Sequence, residues 1–211
     1  MDWIQGFFRT VYNVPELIRL VGLYGLIFIV FAETGLMVGF FLPGDSLLVM
    51  AGIFAARGDL NIALLVPCLI AGAVAGNATG YFIGHKAGRA LYSRRNSFFF
   101  RREHLVRTHE FYERHGGKTI VIAQFMPIVR TFAPVVAGAA GMSYRRFAAF
   151  NVVGAILWIS SMTATGYLLA QTAPGLVQKQ VHLVVAVVIF LSLLPAMIGW
   201  VKSKMGRRAA G

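Results

Sequence analysis

Long apolar runs separated by short polar punctuation dominate this chain. The runs cover Pro15 to Ala32, Gly35 to Ala56, Leu60 to Gly84, Thr119 to Gly141 and Phe147 to Ala170, with a sixth from Val181 to Val201. Each is close to the ~20 residues a helix needs to cross the hydrocarbon of a bilayer, so length alone predicts six transmembrane helices. Two of the runs carry punctuation of their own. Pro43-Gly44-Asp45 lies at the centre of the second, a turn signal containing a carboxylate. Pro127, Arg130 and Pro134 interrupt the fourth. Such a sequence suits two half-helices joined at a tip better than a straight helix facing lipid. Pro43-Gly44 and Pro134 are expected to open the half-helices.

The charges decide which runs cross. Residues 86–118 form a basic connection with Arg89, Arg94, Arg95, Arg101, Arg102, Arg107 and Arg114, placed in the cytoplasm because Lys and Arg concentrate there. Arg145, Arg146 and the basic tail at 202–211, with Lys202, Lys204, Arg207 and Arg208, follow the fourth run. If that run crossed, all six of these charges would lie outside; if it enters and returns, all six stay inside. A re-entrant hairpin at 119–141 is therefore predicted. For 35–56 charge decides little, and the Pro-Gly-Asp turn carries the same reading. The N-terminus and C-terminus then lie in the cytoplasm. Of the twenty Lys and Arg residues, only Arg57 and Lys179 face outward, and Arg130 sits within the membrane.

The predicted fold is an all-α polytopic membrane protein, one domain over residues 1–211, with about four transmembrane helices and two re-entrant helical hairpins entering from opposite faces. Interfacial helices complete it. Residues 1–14 read as a surface helix anchored by Trp3, Phe7, Phe8 and Tyr12, with a frayed tail as the alternative; an acid at Asp2 and no charged leader argue against a signal peptide. A second interfacial helix is expected from Ser97, where Phe98, Leu105 and Tyr112 recur at seven-residue spacing before Gly116-Gly117.

Composition sharpens this picture. At 57% hydrophobic and 13% charged residues, the chain is far from a soluble average. The net charge of +12 raises the question of nucleic acid, but the basic residues border apolar runs and no nucleic-acid motif accompanies them, so topology accounts for them. Cys68 is the only cysteine, which excludes an intrachain disulfide and the Cys patterns of metal sites. His85, His104, His109 and His115 lie among positive charges and read as surface residues. No metal or cofactor is predicted.

Glu33, Asp45 and Arg130 are the informative residues, since a charge at the centre of a spanning helix costs roughly 2.5–3.5 kcal/mol. Half-helices of ten or so residues rise about 15 Å, half of a ~30 Å core, which brings both tips to the midplane. One reading is a buried ion pair that locks the hairpins together. The other is that Arg130 receives an anion while Glu33 and Asp45 bind and release protons; the two can alternate between states. The guanidinium fork hydrogen-bonds two phosphate oxygens at once, half-helix N-termini favour an anion, and a carboxylate in low dielectric can change protonation during a cycle. Glu33 lies near the end of the first run and could instead reach outer water. The stretch Gly76-Asn77-Ala78-Thr79-Gly80-Tyr81-Phe82-Ile83-Gly84 carries small residues at the close spacing of a tight helix contact, and Asn77 within it reads as part of that contact or as a lining residue of a polar pathway. The motifs of rhomboid proteases, zincins and membrane lipid phosphatases are missing, so an enzyme is not expected.

At these residues the chain resembles the DedA family, also described as SNARE-associated Golgi or VTT-domain proteins. The resemblance runs from about Gly22 to Trp158. It includes Glu33 with Pro43-Gly44-Asp45, Gly80-Tyr81 with Gly84, His115-Gly116, Phe125-x-Pro127-x-x-Arg130-Thr131-Phe132-x-Pro134, Ala137-Gly138, and Phe147, Asn151, Gly154 and Trp158. It implies a proton-driven transporter with two opposed hairpins whose tips hold Pro43, Gly44, Pro127 and Pro134. Glu33, Asp45 and Arg130 stand at its functional positions, and the resulting expectation gives proton coupling to Glu33 and Asp45 and substrate binding to Arg130 with Gln124 and Thr131. Family members are implicated in returning undecaprenyl phosphate across the bacterial cytoplasmic membrane and in moving phospholipids. This chain departs at Gln124, where many members have Arg, and at Asn77, where an acid is common.

The resulting expectation is an inner-membrane flippase for a lipid phosphate, first of all undecaprenyl phosphate, whose partners are membrane lipids and protons and which is compatible with a homo-oligomer. A phosphatidylethanolamine-type flippase or scramblase, a proton-coupled transporter of a small soluble ion, and a non-transporting scaffold are the alternatives.

Overall fold

A computed structural model describes residues 14–36, 44–92, 117–173 and 175. Six helices appear in it: α1 Val14–Gly35, α2 Gly44–Ala56, α3 Ile62–Tyr92, α4 Lys118–Gln124, α5 Pro127–Ala139 and α6 Tyr144–Thr172. The described residues contain no strand, in agreement with the all-α reading. The expected surface helix before residue 14, the tip residue Pro43, the basic connection over 93–116, the sixth apolar run and the basic tail lie outside the described residues.

Among the described residues, two helices are long and apolar enough to cross a membrane, α3 over Ile62–Gly88 and α6 over Tyr144–Thr172. The others depart from simple rods. α1 is kinked at Gly22, whose φ of 57° only glycine adopts freely. α2 has 13 residues and is buried on every side from Gly44 to Ala55, so it is an internal helix and its apolar circumference meets protein. α3 continues past Gly84 through Lys86 to Tyr92, entering the first residues of the basic connection.

The run 119–141 is broken, as its prolines predict, but at a different place. The break falls at Phe125 and Met126, and Pro127 rather than Pro134 opens the second arm. Pro127 occupies the first helical position, where a missing N–H costs nothing. Pro134 sits inside α5, against Gly80 of α3. The arms are correspondingly unequal: α4 has 7 residues and α5 has 13, about 10 Å and 20 Å at ~1.5 Å per residue.

Turn chemistry sets the remaining joints. After α2, Asp59 N–H donates to the Phe54 carbonyl and Gly58 N–H to Ala55, with Gly58 at φ 86°; this paired cap ends the helix on a left-handed glycine. Asn61 then accepts the Ala63 N–H at 2.9 Å to start α3. The same paired cap recurs after α5, where Met142 N–H reaches the Ala137 carbonyl around Gly141 at φ 76°.

The main packing partners are α3 with α5, α2 with α6, and α1 with α3. Glycines let the backbones touch. A Cβ at Gly84 would overlap the Val135 carbonyl across the α3–α5 seam, and one at Gly166 would overlap the Val49 carbonyl across the α2–α6 seam. Apolar packing fills the interior, with Val30, Leu47, Met50, Ile53, Leu65, Leu69 and Ile159 all buried. The exterior is apolar too: Tyr24, Phe28, Leu64, Ile122 and Leu168 are exposed. Polar groups are instead drawn inward, where Glu33, Asp45, Asn77, Gln124, Arg130, Asn151 and Thr163 are buried.

Candidate functional site

Three short pieces of backbone converge on one guanidinium. Glu33 lies in the last turn of α1, Asp45 in the first turn of α2, and Arg130 in the first turn of α5. Met126, extended at φ −116° and ψ 103°, separates α4 from α5, and its carbonyl accepts the Arg130 N–H at 2.8 Å. That bond fixes where the arginine leaves the helix. Its Nη1 donates to Asp45 Oδ1 at 2.8 Å and to the Gln124 carbonyl at 3.0 Å. Its Nη2 donates to Glu33 Oε1 at 2.5 Å.

Trp158 of α6 completes the cluster. Its Nε1 donates to the same Asp45 oxygen at 2.9 Å, and its ring lies 4.0 Å from the guanidinium carbon, a cation–π contact that gains strength when desolvated. Glu33, Asp45 and Arg130 are exposed by only 1%, 6% and 2%, so the two ion pairs are sealed. Two acids and one base leave a net charge of −1 when all are ionised. Such a cluster is expensive to bury and costly to break on one side only. Asp45 gains from its place at the α2 N-terminus, where the helix dipole favours a carboxylate.

Each acid uses one oxygen on Arg130 and keeps another in reserve. Glu33 Oε2 and Asp45 Oδ2 have no hydrogen-bond partner among the described residues, and neither has Arg130 Nε. A polar set therefore exists that can exchange partners. Gly44 bounds it closely, since a Cβ there would fall on the Glu33 carboxylate.

The sequence-derived residues are thus partly brought together. Glu33 points inward to Arg130, which excludes the alternative that it reaches outer water. Gln124 meets Arg130 through its main chain, while its side chain is buried over Gly154 of α6. Thr131 is buried next to Arg130 in sequence. Asn77 lies elsewhere in the interior and donates to Asn151 Oδ1 at 2.8 Å. No group of three or more His, Cys, Asp or Glu among the described residues is arranged to hold a metal ion.

Trp158 and Asn151 carry roles that residue-by-residue reasoning missed. A signal existed: Phe147, Asn151, Gly154 and Trp158 stand four, three and four residues apart, one face of a helix. On that face Asn151 is a polar residue in an apolar segment, which is itself unusual.

Comparison with known proteins bears on the whole chain. Residues 42–168 match the VTT domain. The chain is 48% identical over 197 residues to protein DedA of Escherichia coli strain K12, covering 91% of this chain and 89% of that protein. It is 38% identical over 200 residues to an uncharacterized membrane protein of Mycobacterium leprae, covering 94% and 84%. Similarity to inner membrane protein YqjA of Escherichia coli strain K12 is 33% over 171 residues, covering 81% and 76%. No solved structure matches the chain.

Proposed function

This chain belongs to the VTT-domain (DedA) family of membrane proteins, and from that premise we propose that it is a proton-coupled transporter of a lipid phosphate in the bacterial cytoplasmic membrane. It performs no covalent chemistry in this reading. The observation that carries the proposal is a buried arginine whose fork is held by two carboxylates, each with a second oxygen that has no hydrogen-bond partner among the described residues.

The geometry supports an exchange of partners. Arg130 presents to Glu33 and Asp45 the donors that would grip two oxygens of a phosphate. When the acids take up protons, they release the guanidinium; a phosphate monoanion on Arg130 then gives a neutral assembly, one positive charge against one negative. When they lose protons, the ion pairs reform and expel the anion. Burial sharpens the difference between the states, because an unbalanced charge in low dielectric is expensive: the loaded assembly is neutral, while the empty, fully ionised one carries −1. The lipid's tail stays in hydrocarbon throughout.

The topology belongs to the same proposal. Residues 35–56 and 119–141 are two re-entrant hairpins entering from opposite faces, with about four crossing helices around them and both termini in the cytoplasm. The shortness and complete burial of α2 support this, as does the break between α4 and α5. An arrangement of opposed half-helices meeting at a polar centre is the pattern of many secondary transporters.

Undecaprenyl phosphate is the first candidate substrate, by resemblance to the family. A second reading, a flippase or scramblase for glycerophospholipids, is favoured by Gln124: Arg130 is the one buried cation among the described residues, which suits a singly charged phosphodiester. Purified protein in vesicles with an imposed pH gradient tests both. Labelled undecaprenyl phosphate, labelled phospholipid or free inorganic phosphate is supplied in separate arms. Wild type is expected to move a lipid arm, and Arg130→Ala, Glu33→Gln and Asp45→Asn to slow it by at least about tenfold, the equivalent of one charged hydrogen bond. Equal rates for wild type and Arg130→Ala would discard the proposal, and transport of free phosphate alone would replace the lipid by a soluble anion.

A further inference from the structure

Between release by Glu33 and Asp45 and the arrival of an anion, the buried guanidinium of Arg130 has lost both countercharges, an expensive condition. Two of its contacts need no carboxylate. Nη1 donates to the Gln124 main-chain carbonyl at 3.0 Å, and the guanidinium carbon lies 4.0 Å from the centre of the Trp158 ring. Neither contact is lost when an acid takes up a proton.

Trp158 is fixed independently of Arg130. It is fully buried, and its Nε1 donates to Asp45 Oδ1 at 2.9 Å, which sets the tilt of the indole. Asp45 and Trp158 stand on α2 and α6, two helices whose backbones meet: a Cβ at Gly52 would overlap the Thr163 carbonyl, as one at Gly166 would overlap that of Val49. Arg130 stands on α5, which is joined as closely to α3, where a Cβ at Gly138 would overlap the Tyr81 carbonyl and one at Gly84 that of Val135. The indole is thus carried by one pair of helices and offers its face to a cation carried by the other.

We infer that Trp158 is a positioning residue for transport: its ring face keeps the guanidinium at the centre of the site while the carboxylates and the substrate anion change places. Arg130 stays still and its anions move. A flat π face suits this task, because it attracts a cation most strongly when desolvated and leaves the edges of the guanidinium, where the N–H donors lie, open to whichever anion is present. Without the ring, the long side chain gains rotamers whenever the acids are protonated, and an incoming anion must first recapture it. The inference rests on the exchange proposed above and adds a residue that carries neither proton nor substrate.

The test measures half-saturation and maximal rate in the vesicle assay, on whichever of the undecaprenyl phosphate, phospholipid and inorganic phosphate arms wild type moves. Trp158→Met, which fills space without a ring, is expected to raise the half-saturating substrate level about tenfold, the size of a desolvated cation–π contact, with a smaller change in maximal rate. Trp158→Phe keeps a ring face and drops the N–H; it should return half-saturation to within about threefold of wild type. A lesion of structure alone lowers the maximal rate through the folded fraction and leaves half-saturation where it was. Half-saturation unchanged in Trp158→Met, or raised as much in Trp158→Phe as in Trp158→Met, overturns the positioning role and leaves the transport reading standing. Should Trp158→Met fail to fold, Trp158→Phe decides alone, since a tenfold rise there overturns the role and a value within about threefold upholds it. Wild type that moves none of the three substrates overturns the transport reading and the positioning role with it.

Discussion

Arg130→Ala is expected to lower the stability of the purified protein by about 3–5 kcal/mol, because it leaves Glu33 and Asp45 buried and uncompensated. The large loss comes from the stranded acids, not from the value of the ion pairs themselves. The triple variant Arg130→Ala, Glu33→Gln, Asp45→Asn should accordingly recover most of the thermal stability while remaining unable to transport. Thermal unfolding in detergent, followed by intrinsic fluorescence, reads the first quantity; vesicle transport reads the second. Stability that stays low in the triple variant would mean that the three charges hold the fold together directly. Such a result would favour a structural lock over an exchanging site.

The second large effect is a contrast one helical turn apart. Gly84→Ala is expected to destabilise by about 1–3 kcal/mol, since its methyl group would enter the Val135 carbonyl and backbone cannot turn aside as a side chain can. Gly80→Ala on the same seam meets ordinary contacts at 3.4–3.5 Å and should be neutral, or stabilising by up to about 1 kcal/mol through helix propensity. Because α5 carries both Val135 and Arg130, the displacement at Gly84 also moves the guanidinium relative to Asp45. Transport should fall in Gly84→Ala and persist in Gly80→Ala. Equal behaviour of the two variants would show that the α3–α5 seam is looser than its backbone contacts indicate.

Much of this arrangement is written in run length and punctuation. α3 and α6 follow from long apolar segments, the break between α4 and α5 from Pro127 and Pro134 inside the run 119–141, and the importance of Glu33, Asp45 and Arg130 from the cost of charge in an apolar segment. What stayed hidden was hidden for physical reasons. Pro127 and Pro134 are equivalent as punctuation, and only the backbone shows which one occupies a first helical position, where proline is tolerated. The small-residue stretch ending at Gly84 marks a close helix contact, but only the structure shows that its partner is the Val135 backbone of α5 and that α3 runs on to Tyr92. Trp158 is 113 residues from the carboxylate it bonds, and no local pattern reveals a partner at that distance. The Gly22 kink left no sign at all, since a glycine in an apolar helix is ordinarily just a small residue.

The exchange at Arg130 is tested most directly by recording lipid movement and proton movement in the same vesicles. In vesicles of defined internal buffering, wild type should move protons whenever it moves lipid phosphate. Reversing the pH gradient should reverse the direction of net lipid transport, and Arg130→Ala should abolish both signals together. Lipid transport by wild type at one unchanging rate, with no accompanying proton signal under either gradient, would contradict the claim that Glu33 and Asp45 release and recapture the guanidinium.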